Sequence, residues 1–163
     1  MRIYEYGKEN PECILLIHPS LVTWDYFEYV IPLLEKHYHL LIPALPGYDL
    51  NDNSEFSSVE QIASELADDI LKRGIREVKA IYGCSMGGSI ALRMAADGKL
   101  KAKNYIMDGG ITPYQLPLIL TRFSSPRAVR GLSNRWLTLP ATTLSKLQSG
   151  KASAVISALV KVI

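Results

Sequence analysis

Several things are scarce in this chain. Cysteine occurs twice, at Cys13 and Cys84, too few for a disulfide framework and without the spacing of metal ligands. No apolar run approaches the roughly 18 residues of a membrane span. The opening residues, Met1-Arg2-Ile3-Tyr4-Glu5-Tyr6, lack the apolar core of a secretory signal. A cytoplasmic protein without stable membrane insertion is expected. Glycine-rich nucleotide fingerprints of the Gly-x-Gly-x-x-Gly or Walker type are absent, as are internal repeats, and no nucleic-acid partner is expected. The three histidines, His18, His37 and His39, all lie in the first quarter of the chain. Acidic residues stop at Asp108. Residues 1–108 carry 11 Lys/Arg against 16 Asp/Glu, whereas residues 109–163 carry seven basic residues and no acid. This tail is expected to dock on acidic protein surface, the alternative being an anionic substrate or a membrane surface.

What is present is enough for one globular domain with a real core: 163 residues, 48% hydrophobic and 21% charged, net charge +2. Arg2–Tyr6 reads as a short strand. Glu12–His18 and Tyr38–Ile42 are continuous apolar runs of strand length, the pattern of strands covered on both faces. Between them, Thr23 is placed to cap a helix carrying Trp24, Phe27, Val30, Ile31 and Leu34, with Pro32 as a kink. Pro43 to Asn53 reads as a loop. Ser57-Ser58-Val59-Glu60 has capping-box spacing and opens a helix with an apolar face of Val59, Ile62, Ala63, Leu66, Ile70 and Leu71, stopped by Gly74. His37 and His39 read as solvated residues near a strand start.

The most informative stretch is Val78 to Asp97. A β-rich run meets Gly83-Cys84-Ser85-Met86-Gly87, after which Met86, Ile90, Ala91, Met94 and Ala95 repeat at helical spacing. A serine lifted above a sheet on a strained strand-to-helix turn leaves no room for side chains two residues before and after it, and both positions are glycine. A helix beginning just past the serine aims free N–H groups and a positive dipole end at a developing oxyanion. Cys84 within this turn reads as a small packed residue rather than a second nucleophile. One further strand, Ala102–Met107, ends at Asp108-Gly109-Gly110. Strands alternating with helices imply right-handed crossovers and a mostly parallel sheet with helices on both faces. The reactive crevice of such a sheet lies off the carboxyl ends of its strands, where His18, Ser85 and Asp108 all fall.

Three stretches in order make the chain resemble the α/β-hydrolase superfamily: Ile17-His18-Pro19-Ser20-Leu21-Val22-Thr23-Trp24, Leu45-Pro46-Gly47-Tyr48-Asp49, and Gly83-Cys84-Ser85-Met86-Gly87-Gly88. The first is similar to the family's His-Gly loop, the second to its Asp-x-Pro-Gly-x-Gly-x-Ser loop, the third to its nucleophile elbow. Pro19, Ala44 and Asp49 depart from the usual glycine, aspartate and glycine. The resemblance implies a cofactor-free and metal-free serine hydrolase acting on a small ester-like substrate, with Ser85 as nucleophile. It implies oxyanion N–H donors from Met86 and from Ser20 or, alternatively, Leu21. It further implies His18 as the residue that orients the oxyanion loop, and Asp108 at a position from which some members draw their acid, although before Gly109-Gly110 it reads first as an ordinary turn aspartate.

In that family the acid and histidine follow strands later than any read here, and every histidine of this chain precedes Ser85. Residues 1–110 are therefore expected to be the N-terminal part of the hydrolase core, incomplete at its C-terminal side. Residues 111–163, amphipathic and broken by Pro113, Pro117, Pro126 and Pro140, are expected to be a helical lid-like segment. The expected activity is that of a serine esterase, inactive or incomplete in these 163 residues. The alternative is a non-catalytic module of the same fold that self-associates through an exposed sheet edge.

Overall fold

A computed structural model describes residues 1–49, 51 and 53–109. The lid-like segment and the boundary after residue 110 lie outside the described residues. The chain runs β1 (Arg2–Tyr6), β2 (Cys13–Ile17), a 3-10 turn (Trp24–Phe27), α1 (Ile31–Leu34), β3 (His39–Ala44), α2 (Val59–Lys72), β4 (Glu77–Cys84), α3 (Met86–Asp97) and β5 (Lys101–Asp108). The strands form one sheet in the order β1-β3-β2-β4-β5. β1 runs antiparallel to β3, and the other neighbours are parallel.

The apolar runs become strands because both of their faces are covered. Successive side chains of a strand alternate between faces, and β2 shows the consequence: all five of its residues are buried. Leu15 and Ile17 pack with Leu41 and Ile81 against Ile62, Leu66 and Ile70 of α2 and Ile90 and Met94 of α3. Ile14 and Leu16 pack with Leu40, Ile42, Ala80 and Tyr82 on the opposite face, against Phe27, Val30, Ile31 and Leu34. At roughly 1.5–3 kcal/mol per fully buried aliphatic side chain, these two layers are the main force holding the strands in register. The mostly parallel α/β sheet with helices on both faces is the expected architecture.

Four local expectations need correction. The single kinked helix over Trp24–Leu34 is instead a 3-10 turn followed by the one-turn α1. Pro32 sits in the first turn of α1, where its missing N–H has no intrahelical partner to lose. Thr23 stands at the cap position of the 3-10 turn but makes no side-chain capping bond; its hydroxyl bonds the Asp25 carboxylate instead. Pro43 belongs to β3 rather than to the following loop: the ladder to β2 ends at Leu41, so the proline interrupts no pairing on that side. The cap of α2 is Ser58, whose side chain accepts from the Gln61 backbone N–H at 3.1 Å, one residue later than the Ser57 spacing suggested.

Candidate active site

β4 ends at Cys84 and α3 begins at Met86, so Ser85 alone carries the chain from extended to helical. Its backbone has φ 51° and ψ −113°, a conformation that a residue with a Cβ adopts only when its surroundings impose it. The surroundings are specific. The Ser85 N–H donates to the Asp108 carbonyl at 2.8 Å, while the Ser85 carbonyl accepts from the N–H groups of Gly88 at 2.9 Å and Ser89 at 3.2 Å. A Cβ at Gly83 would collide with the backbone of Gly87, and one at Gly87 with the carbonyls of Ile17 and His18. The glycines thus let the turn fold onto itself and onto the end of β2. The Ser85 hydroxyl does not cap α3. Met86, as the first helical residue, has a backbone N–H without an intrahelical acceptor.

The same close approach brings the loop after β2 to the turn. His18 is fully buried, and both ring nitrogens are engaged. The Leu45 N–H donates to Nε2 at 3.3 Å, which leaves Nδ1–H to donate to the Pro19 carbonyl at 2.8 Å. Burial pushes the imidazole pKa below its usual 6.5, against the smaller upward pulls of the Pro19 carbonyl and Asp25. His18 is thus a neutral bridge between the loop after β2 and the loop after β3, and Tyr48 of the latter packs edge-on against its ring. Ser20 is half-buried. Leu21 has φ 66°, the second positive φ among the described non-glycine residues, and is 78% exposed. Trp24 stacks on Tyr4 with ring centroids 4.0 Å apart.

Asp108 closes β5 beside the turn. Besides holding the Ser85 N–H through its carbonyl, it accepts the Tyr82 hydroxyl on Oδ2 at 2.7 Å. Cys84, half-buried, lies 3.7 Å (Sγ) from the Tyr26 hydroxyl. Burial first, and then these contacts, push both phenols far above the ordinary tyrosine value. Sequence reasoning passed over Tyr82 and Tyr26; the available signal was a hydroxyl-bearing aromatic in an otherwise apolar strand, since a buried phenol seeks a partner.

The expectation that His39 is solvated is wrong. Its side chain is 12% exposed, with Nε2 2.9 Å from Glu5 Oε2 and Nδ1 3.4 Å from Cys13 Sγ. His39 and Cys13 start β3 and β2, at the end of the parallel strands opposite Ser85. His37 is exposed. Among the described residues no three His, Cys, Asp or Glu side chains are grouped to hold a metal ion, and no helix is long and apolar enough to cross a membrane.

A parallel-centred sheet, helices on both faces and a strained serine at a strand-to-helix turn define an α/β protein built on hydrolase lines. The chain belongs to the alpha/beta hydrolase family, whose model matches residues 14–158. It is 30% identical over 107 residues to an AB hydrolase superfamily protein of Gibberella zeae, a match covering 64% of this chain and 38% of that one. It is 31% identical over 87 residues to a pimeloyl-(acyl-carrier protein) methyl ester esterase of Vibrio vulnificus, covering 53% and 32%. Among solved structures, an alpha/beta hydrolase family protein from Desulfitobacterium hafniense superposes with a TM-score of 0.65 at 34% identity, covering 68% of this chain and 44% of that one. The chain spans less than half the length of each of these relatives.

Proposed function

We propose that these residues carry the nucleophile half of a serine hydrolase that cleaves ester or similar acyl bonds of small molecules through an acyl-enzyme on Ser85. The observation that carries this reading is the strained Ser85 backbone, held by two glycines that nothing larger can replace. Strain of this kind is retained where it serves a site. The esterase named among the relatives supports the bond class. In the reaction, Ser85 Oγ attacks the acyl carbonyl carbon and its proton passes to a general base. The oxyanion accepts the backbone N–H of Met86 and that of Ser20 or Leu21. The alcohol leaves with a proton from the same base, and water then releases the acid. His18, with both nitrogens committed, orients the oxyanion loop.

The base is not one of the three histidines described above. His18 is locked, His39 is paired with Glu5 far from Ser85, and His37 is exposed near the start of β3. In this reading the strained, reactive serine is what these residues supply, and the base is a group other than these three histidines. The same placement of histidines favours a second reading, a binding module of this fold that self-associates along β5, the outer strand of the described sheet. A fluorophosphonate probe tests the first directly. Covalent labelling of the intact chain that disappears in Ser85→Ala establishes an activated serine. Folded protein that stays unlabelled, and sediments as a dimer, overturns it in favour of the second.

A further inference from the structure

Asp108 is the last residue of β5 and pairs with Cys84 in the final register of the β4–β5 ladder. Gly109 follows with φ +60°, so strand geometry does not continue beyond Asp108 to hold it. Yet the carbonyl of Asp108 is what receives the Ser85 N–H. The side chain supplies the missing anchor. Its Oδ2 accepts from the hydroxyl of Tyr82, a fully buried residue three positions before Ser85 on β4, whose ring packs edge-on against Phe27 with centroids 6.0 Å apart. Ser85 N–H to Asp108 carbonyl, Asp108 carboxylate to Tyr82 hydroxyl, and Tyr82 back along β4 to Ser85 form a closed ring of contacts. The ring clamps the ends of two strands on either side of the strained turn. Burial and the Asp108 contact hold the phenolic proton on Tyr82, so the donor persists at any working pH.

We infer that Tyr82 and Asp108 are positioning residues for Ser85, the Asp108 carboxylate holding the turn through the Tyr82 hydroxyl rather than serving as the acid partner of a catalytic histidine. This rests on the proposal that Ser85 is the nucleophile, and the experiment has one arm that does not. In the intact chain, labelling of Ser85 by a fluorophosphonate and hydrogen exchange of the Ser85 amide are followed side by side. Tyr82→Phe and Asp108→Ala are expected to label at least about tenfold more slowly and to exchange the Ser85 amide at least about tenfold faster, the loss of a charge-assisted hydrogen bond. The amides of Ile17 and Ile62 keep their rates, which separates the effect from global loosening. Asp108→Asn retains an oxygen acceptor for the phenol and is expected to label and exchange within about threefold of the parent. If Asp108→Asn loses labelling as fully as Asp108→Ala while its Ser85 amide exchanges at the parent rate, the charge is what matters and the inference is wrong. Parent-like exchange in Tyr82→Phe overturns it equally. Should Tyr82→Phe fail to fold, the Asn–Ala contrast at position 108 decides. Should the parent itself remain unlabelled, the nucleophile proposal fails and amide exchange alone decides: faster in Tyr82→Phe upholds the clamp, unchanged removes it.

Discussion

At the scale of single residues, the site is built from groups that have lost their freedom. Gly83 and Gly87 are fixed by collisions a methyl group would make, and Ser85 by a backbone angle that three hydrogen bonds impose. His18 shows the same logic in a titratable group. Its Nε2 must be unprotonated to accept from Leu45, so protonation would remove that bond and leave a charge in a fully buried position. Because burial holds its folded pKa below 6.5, the unfolded chain binds the proton first. The stability due to neutral His18 is therefore complete above pH 6.5 and declines as pH falls below it. Urea denaturation of the parent and of His18→Gln between pH 7.5 and 5 should show the parent losing up to about 1.4 kcal/mol per pH unit relative to the variant below pH 6.5. Parallel stability curves would mean that His18 is not held neutral.

At the scale of elements, the amphipathic helix α2 offers the simplest test. Ser58 accepts the Gln61 N–H, one of the donors a helix start leaves without a partner. Ser58→Ala should lower unfolding stability by about 1 kcal/mol, read as a shift of the urea midpoint at unchanged slope, and should leave Ser85 labelling alone. Elements were also what the sequence made most readable. Unbroken apolar runs at Ile14–Ile17 and Leu40–Ile42 mark strands covered on two faces. The period of Ile62, Leu66 and Ile70 marks a helix face. Glycines two residues either side of Ser85 mark a turn with no room. Each of these signals is local, because it follows from residues within one turn or strand of each other. The stretch Trp24–Leu34 was misread because aromatic and aliphatic residues at helical spacing also satisfy a 3-10 turn followed by one α-turn, and Pro32 is at home at a helix start as well as at a kink. The oxyanion loop was readable only through its resemblance to a family. Tyr82 with Asp108, 26 residues apart, and His39 with Glu5, 34 apart, left no local pattern: partners brought together by strand order have no fixed spacing.

At the scale of the whole molecule, the two ends of the sheet have divided tasks. The carboxyl ends of the parallel strands gather the strained turn, the buried imidazole and Asp108. The opposite end holds an ionic hub on Glu5, whose side chain, 13% exposed, meets His39 of β3, Arg73 just past α2, and Lys8 at 3.5 Å just past β1. Glu5 thereby joins the antiparallel edge strand to the parallel sheet and to the helix packed on it. Burial alone would raise the Glu5 pKa, but the His39 hydrogen bond and the charges of Lys8, Arg73 and His39 together outweigh it, and the net shift is below 4.5. A carboxylate with a depressed folded pKa stabilises the fold above its unfolded value and ceases to do so as pH falls through the folded one. Glu5→Gln should therefore cost roughly 1.5–3 kcal/mol at pH 7, the value of hydrogen bonds to a charged group, with the deficit shrinking as pH drops below 4.5. Thermal unfolding of parent and variant at pH 7, 5, 4 and 3 measures this, and the curves should converge toward the acid end. The hub lies at the far end of the parallel strands from Ser85, so fluorophosphonate labelling at pH 7 and a temperature where both proteins are folded should be equal in the two. A deficit that persists undiminished at pH 3 would show that the carboxylate charge is not what Glu5 contributes, and that its packing between β1 and β3 is.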